Sequence, residues 1–464
     1  MTTETAVPTE TAVSTATVPL TATVARLADE DATYWLLREG LGWSVVLQLV
    51  WQVPGTVDDA VLTRFATRLS EGRLHRRLRA PRVHGARPAW IPADGTPRAH
   101  LDTTPIDDTD IDSWAIDEMS QADLDAADGR CWRVRATPTL AGDTIVSLCA
   151  LHLVTDGRGL VDAAAEALGS EPEHRRTRAS DRRHPRRIDA RDALGQVRAA
   201  GIGVARAVHT AVRGSGAEHA PDPREPRAPM AHRAPRARPV WATATVSAAE
   251  WDRIAHARGG TANTLFVAVV SGLLRSSGYA AQGVPVKVGV PVDRRRGADD
   301  ERANATAGVS VMLTDDPVPG GDLTGLRASC KEAFVRLADG HRPAAIHLQP
   351  LIWLLPTRWV VAAATAGSGM PDAVTSNLGD VPDAAMVIGG RRARRLAFRG
   401  IADGVDPSGP HRFGDGVQSW LVRTGTDVTF SVVGFDEESF TDTDHLRRLL
   451  ADELAAWHLP AQIW

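Results

Sequence analysis

The chain has 464 residues, 43% of them apolar and 24% charged, with a formal net charge of −4. That is the texture of a globular protein too long for one hydrophobic core, and it excludes a global basic bias toward nucleic acid. Cys131, Cys149 and Cys330 form no CxxC pair and are odd in number, which argues against a disulfide framework or a zinc site and for a reducing cytoplasm.

Residues 1–33 repeat the string TETAV and lack both a basic n-region and a long apolar h-region. They are expected to form a disordered leader, not a secretory signal. An N-terminal αβ half is expected over 34–170. Residues 43–53 (WSVVLQLVWQV) are strand-like, and 56–72 predict a helix with a threonine cap, early acids and a glycine stop. A second helix is expected over 108–124. Residues 143–153 (DTIVSLCALHL) read as a β-rich strand, and 159–169 as the helix after it.

From 171 to 238 the texture changes, with sixteen arginines against eight acids. This segment reads as a basic linker carrying one amphipathic helix near 190–214. It is either a solvated tether or a docking surface for an acidic partner. A second αβ half is expected over 239–464. It contains helices over 248–259 and from 261 onward, strands over 285–293, 304–314 and 427–437, and a final amphipathic helix over 442–459. The helix after residue 261 is mostly apolar and is therefore expected to be buried. Residues 348–367 form the longest apolar run, interrupted by Pro350, Pro356 and Arg358. They read as a buried helix pair or loop, or as an interfacial or acyl-chain-lining segment.

The candidate chemistry lies in 147–164 (SLCALHLVTDGRGLVDAA), where His152, Asp156 and Gly157 bracket a strand-to-helix turn. Such a turn exposes backbone and lets side chains reach a cleft. Cys149 sits three residues before His152, which in an extended strand puts the two on opposite faces. It is expected to be a core residue rather than a nucleophile. The same HxxxDG spacing recurs at His411 to Gly416, in a Gly/Pro-rich loop with no strand before it. Only His152 has the strand–turn–helix context. A neutral imidazole held there can take a proton from an attacking alcohol or amine and return it to a leaving thiolate. Gly157 lets the backbone pass close by.

The HLVTDG string at 152–157 resembles the HHxxxDG signature of the CoA-dependent acyltransferase superfamily. That superfamily includes peptide-synthetase condensation domains, polyketide-associated acyltransferases, plant BAHD acyltransferases and wax ester synthase/diacylglycerol acyltransferases. Residues 73–92, 259–278, 290–314 and 375–383 (TSNLGDVPD) are similar, in the same order, to segments of the last group. The resemblance implies an α/β (α+β) fold of two chloramphenicol-acetyltransferase-like halves, with an active-site tunnel between them. It implies His152 as general base, and Asp156 as a structural partner paired with Arg295 or, alternatively, Arg294. Asn304 matches the family's cleft asparagine, and Ser376 and Asn377 match the pair that lines the cleft and supplies an oxyanion donor. Three departures stand out: Leu151 replaces the first histidine, Ala303 replaces the glycine before Asn304, and the SNLGDVP string lacks the PGP form.

The implied activity is O-acyl transfer from a thioester to an alcohol, with no permanently bound cofactor and no metal. The donor is acyl-CoA or an acyl carrier protein thioester, the latter docking at the basic linker. A monomer is expected, cytoplasmic or peripheral to the membrane, without a nucleic-acid partner. The competing readings are an amide-forming condensation catalyst and a non-catalytic binding protein on the same scaffold.

Overall fold

A computed structural model describes residues 25–169, 185–213, 239–297, 300, 302–314, 317–339, 344–365, 371–406 and 416–464. Two sheets organise the chain. The N-terminal sheet runs, edge to edge, through strands Arg395–Asp403, Ser44–Val53, Thr144–Leu151, Trp132–Pro138 and His100–Leu101. The C-terminal sheet has seven strands in the order Ala461–Ile463, Val240–Ser247, Asp427–Gly434, Val417–Arg423, Ala373–Asp380, Val286–Asp293 and Thr306–Leu313.

Each sheet has its own core. Strand Thr144–Leu151 is buried along its whole length, because helices and sheet neighbours cover both of its faces. It pairs antiparallel with Ser44–Val53 in a register that sets Leu49 against Leu148 and Val46 against Leu151. In the other half, helix Ala262–Ser276 carries an unbroken buried run from Thr264 to Leu274, as its apolar sequence predicts. Thr261 caps it by accepting from the Thr264 amide, while the Thr264 hydroxyl accepts from the Thr261 amide. That exchange satisfies two donors a helix start would otherwise leave unpaired.

Three expected boundaries change. The leader through residue 33 is too long: Leu27 and Asp31 are buried, and helix Ala32–Leu41 begins there. The helix expected in the linker near 190–214 starts earlier, as Pro185–Arg213, and packs on the short helix Ala344–Trp353, with Gly203 against the His347 backbone. The partition at 238/239 is also not clean. Strand Arg395–Asp403 belongs by position to the C-terminal half but joins the N-terminal sheet, pairing with Ser44–Val53 from Ser44↔Asp403 to Gln52↔Arg395. The apolar run at 348–367 is split between the end of Ala344–Trp353 and helix Thr357–Thr365, with Trp353 buried and Trp359 exposed. Among the described residues, no helix is long and apolar enough to cross a membrane.

The crossing strand carries an unusual residue for a core. Arg399 is 0% exposed, and its guanidinium donates to the Asp112 carboxylate of the N-terminal half and, at 3.1 Å, to Thr243 of the C-terminal sheet. Arg447, from the last helix, reaches the second Asp112 oxygen at 3.2 Å. One carboxylate thus sits between two arginines at the seam of the halves. Asp112→Ala should strand Arg399 and destabilise the fold by about 3–5 kcal/mol in urea denaturation. Asp112→Leu with Arg399→Met removes both charges and should recover most of that loss. A single-variant loss below about 1 kcal/mol would show that Asp112 does not hold the seam.

Candidate active site

Strand Thr144–Leu151 ends at a tight turn in which the Val154 amide donates to Leu151 O at 3.0 Å. His152 N donates to Val45 O at 2.7 Å, which pins the start of the turn to the neighbouring strand. Helix Gly157–Leu168 begins five residues later. Asp156 caps that helix, its carboxylate accepting from Gly159 N at 2.8 Å.

Asp156 does more than cap. Arg295 Nη1 lies 2.8 Å from the same carboxylate, Ala305 N donates at 2.8 Å, and the Thr306 hydroxyl donates at 3.2 Å. Arg295, Ala305 and Thr306 all come from the C-terminal half, so one buried carboxylate ties the turn to that half. Burial opposes ionisation of Asp156, but the Arg295 guanidinium and the backbone donors outweigh it and hold the carboxyl below the usual carboxylate range. Of the two candidate arginines, Arg295 makes the pair. Arg294 is exposed, and its backbone amide donates to Ala305 O at 2.7 Å. Two glycines make room. A Cβ on Gly157 would meet the Leu378 side chain at 2.6 Å, and one on Gly159 would meet Arg295 Nη2 at 2.9 Å.

His152 is gripped at both ring nitrogens. Nδ1 lies 3.0 Å from Asn304 Oδ1. Asn304 Nδ2 donates to His152 O at 3.0 Å and to Asp31 Oδ1 at 2.9 Å, so the amide nitrogen faces two acceptors and its oxygen faces Nδ1. Nδ1 therefore carries the proton, and Nε2 is left with the lone pair of a base. Tyr34 covers Nε2. Its ring stacks on the imidazole, with centroids 3.8 Å apart and planes 16° from parallel, and its phenol oxygen is 2.9 Å from Nε2. An imidazole accepts through a lone pair in the ring plane, whereas a stacked phenol meets it from the face. We therefore read this contact as stacking and not as a hydrogen bond that consumes the lone pair. Burial holds the His152 imidazole below its ordinary value of 6.5, against the opposing charge of Asp156, so it is neutral at pH 7.

A cavity opens beside this grip, lined by Tyr34, Arg38, Trp43, Leu78, Leu151 and Leu153 among others. Its walls come from the N-terminal half alone. This recess ends against Tyr34, while His152 itself lies where the halves meet.

The remaining expected residues are placed less directly. Ser376 and Asn377 lie on strand Ala373–Asp380, whose end packs on the turn: Leu378 faces Gly157, and Arg158 Nη1 donates to Asp380 O at 2.6 Å. Asn377 Oδ1 accepts from Gly379 N at 2.9 Å, and its Nδ2 is 3.5 Å from Asn263 Oδ1, the outer limit of a hydrogen bond. The Asn377 carboxamide oxygen is thus committed to its own turn, while its Nδ2 donor is held only at the outer limit of a hydrogen bond. Cys149 is fully buried beside Ser147, and burial pushes its thiol up to about 12, so it is a core residue. His411 lies outside the described residues. No group of His, Cys, Asp and Glu among the described residues could hold a metal ion.

The sequence reading missed Tyr34 and Asp31. Both flank the start of helix Ala32–Leu41, inside or just after the stretch assigned to the leader. The signal was present: acids followed by the apolar run YWLL and a stop at Gly42, the pattern of a capped amphipathic helix.

The architecture has known counterparts. The first condensation domain of the CDA synthetase matches 95% of this chain and 99% of its own at TM-score 0.56 and 16% identity. This is the condensation-domain fold. The wax ester synthase/diacylglycerol acyltransferase from Marinobacter aquaeolei VT8 is as similar, at TM-score 0.56 and 16% identity over 94% of this chain and 99% of that one. Polyketide synthase associated protein 5 from Mycobacterium tuberculosis gives 0.53 and 13% over 93% and 97%. No protein-family model and no curated sequence matches this chain. The condensation-domain fold is therefore carried here at 13–16% sequence identity to these structures.

Asp156→Asn should lower both melting temperature and turnover, because it leaves Arg295, with its side chain only 9% exposed, without its counter-charge. Arg295→Ala should behave alike. Combined, the two should cost less than the sum of the singles. A thermal-denaturation cycle with strictly additive losses would mean that the pair contributes no coupling.

Proposed function

We propose that the chain is an acyltransferase that moves an acyl group from a thioester to an alcohol, with His152 Nε2 as general base. One observation carries the reading. At the junction of two halves that share the condensation-domain fold, a buried neutral imidazole has its Nδ1 proton directed to Asn304 and its Nε2 lone pair uncommitted.

The reaction follows from that geometry. The acceptor hydroxyl gives its proton to Nε2 as its oxygen bonds to the thioester carbonyl carbon. The carbonyl electron pair moves to oxygen, giving a tetrahedral oxyanion that a hydroxyl such as Ser376 can stabilise. Collapse re-forms the carbonyl and breaks the carbon–sulfur bond, and the imidazolium returns its proton to the departing thiolate. Asp156 takes no part in proton transfer, since all its acceptor capacity holds the turn. The recess ends against Tyr34, whose ring covers Nε2, so a substrate entering from the N-terminal half reaches the base only when Tyr34 moves aside.

An amine acceptor, giving an amide, is the second reading, and the likeness to a condensation domain favours it. The same base serves both, so the acceptor decides. A carrier-borne donor would meet the exposed Arg186, Arg187 and Arg191 at the start of helix Pro185–Arg213, whereas acyl-CoA has no need of them.

The test offers purified protein a panel of acyl-CoA and acyl-carrier donors with alcohols and amines. Free thiol is followed by colour and products by mass spectrometry. Ester formation with stoichiometric thiol release supports the first reading, amide the second, and no thioester consumption the non-catalytic alternative. His152→Ala should lower turnover by about 10²–10⁴-fold with the melting temperature nearly unchanged, and His411→Ala should stay within a few-fold. An inactive His411 variant beside an active His152 variant would move the site elsewhere.

The pH profile gives a separate check. With the imidazole held below 6.5, the base is already deprotonated at pH 7. The kcat/KM value should be level near pH 8 and fall in acid along a limb centred below 6.5, as protons bind Nε2. A limb centred at or above 6.5 would contradict the buried neutral state.

A further inference from the structure

The residue that orients Asn304 comes from the segment before the first helix. Asp31 is 1% exposed and Asn304 is 1% exposed. The Asp31 carboxylate accepts from Asn304 Nδ2 at 2.9 Å, from Asn304 N at 3.2 Å and, through its other oxygen, from Ala28 N at 2.7 Å. No arginine, lysine or histidine among the described residues forms an ion pair with it; Arg76 is the nearby cation, and Tyr34 and Asp156 are the other ionisable groups of this neighbourhood. A buried carboxylate without a salt bridge is costly, so its three donors must hold it in place.

We propose that Asp31 is a positioning residue that fixes the tautomer of His152 through the Asn304 carboxamide. The role in turnover rests on His152 being the base; the tautomer itself does not.

The argument is a count of donors and acceptors. A carboxamide has one face that donates and one that accepts. Asp31 can only accept while ionised, so it draws the donating face of Asn304 toward itself and leaves Oδ1 toward His152. Oδ1 can only accept, so Nδ1 must carry the hydrogen and Nε2 must not. Asp31 and the His152 carbonyl, both acceptors, thus hold the Asn304 amide in one orientation, and that orientation determines which nitrogen is basic. When Nε2 takes a proton during reaction, the imidazolium keeps its Nδ1–H···Oδ1 bond, and the Asp31 anion behind the amide favours that positive charge. No proton passes to Asp31.

Asp31→Asn reverses the polarity while nearly preserving volume. A new carboxamide has a single oxygen for the three donors. If that oxygen faces Ala28 N, its NH2 group faces Asn304 and favours turning the Asn304 amide over, against the bond from Nδ2 to His152 O. Nδ2 then points at His152 Nδ1, which must accept, and the hydrogen moves to Nε2. A base that already carries its proton cannot act, although substrate contacts are untouched.

The experiment is a long-range proton–nitrogen NMR spectrum of the full chain carrying nitrogen-15 histidine, at pH 7.5, with His152 assigned by its loss in His152→Gln. We expect the wild type to be the Nδ1–H tautomer. Asp31→Asn should shift a measurable share to Nε2–H, with kcat falling about in proportion to the lost Nδ1–H form and KM within about twofold. Asp31→Ala removes the acceptor without adding a donor, so it should give a mixture of tautomers and a smaller loss. A variant that keeps Nδ1–H overturns the proposal, and so does a wild type found as Nε2–H, a result that stands even if both variants fail to fold. A tautomer switch in a protein that consumes no thioester would leave the positioning intact and sink the acyltransferase reading. Normal kcat with the tautomer unchanged would do the reverse.

Discussion

The buried carboxylate of Asp156 is the constraint on which the site depends. It accepts from a helix amide, a guanidinium, a strand amide and a threonine hydroxyl, drawn from both halves of the chain. A carboxylate has about four good acceptor positions, and all are used. The turn between strand Thr144–Leu151 and helix Gly157–Leu168 therefore cannot shift without breaking a charge-assisted bond in a place closed to water. His152 lies inside that turn, so its backbone is placed by Asp156 while its ring is placed by Asn304. The two controls share a strand start: Asn304, Ala305 and Thr306 are consecutive, and each bonds to the turn or to the base.

This division explains why an aspartate four residues from a histidine need not act on it. Asp156 lies close enough to raise the imidazole's basicity by its charge, yet that effect is smaller than the loss from burial, and the ring stays neutral. Arg295, 2.8 Å from the carboxylate, offsets part of its charge. What remains is geometric: a turn tied to both halves, and a helix whose first residues are glycine-spaced to admit Arg295 and Leu378.

How much of this was legible follows from which contacts are local. The strand, turn and helix around His152 are encoded within about twenty residues by β-rich apolar sequence, a glycine and an Asp cap, and they were readable without a partner. Arg295 and Asn304 were reachable only through resemblance, because no local pattern says that residues some 150 positions away face the turn. The crossing of strand Arg395–Asp403 was not legible. Its alternating Leu396 and Phe398 fit either sheet, and Arg399 at its centre argues against burial until Asp112 is placed opposite it. Tyr34 and Asp31 were lost for another reason. The low-complexity texture of the first residues was extended past its end, although the apolar run after Ala32 already marked a helix.

Leu151 is the last piece of the same logic. It stands where the resembling signature has a first histidine, and it is 3% exposed, packed in the core of the N-terminal half. Alternation along the strand turns its side chain away from that of His152. The Leu151 side chain also borders the recess beside Tyr34. The tasks a second histidine could perform for the base are fixing its tautomer and walling its exposed edge. Both are already met here, the first by Asn304 and the second by the stacked ring of Tyr34. With the base held from the opposite side, the position is free to serve packing, and leucine is the residue that packing prefers.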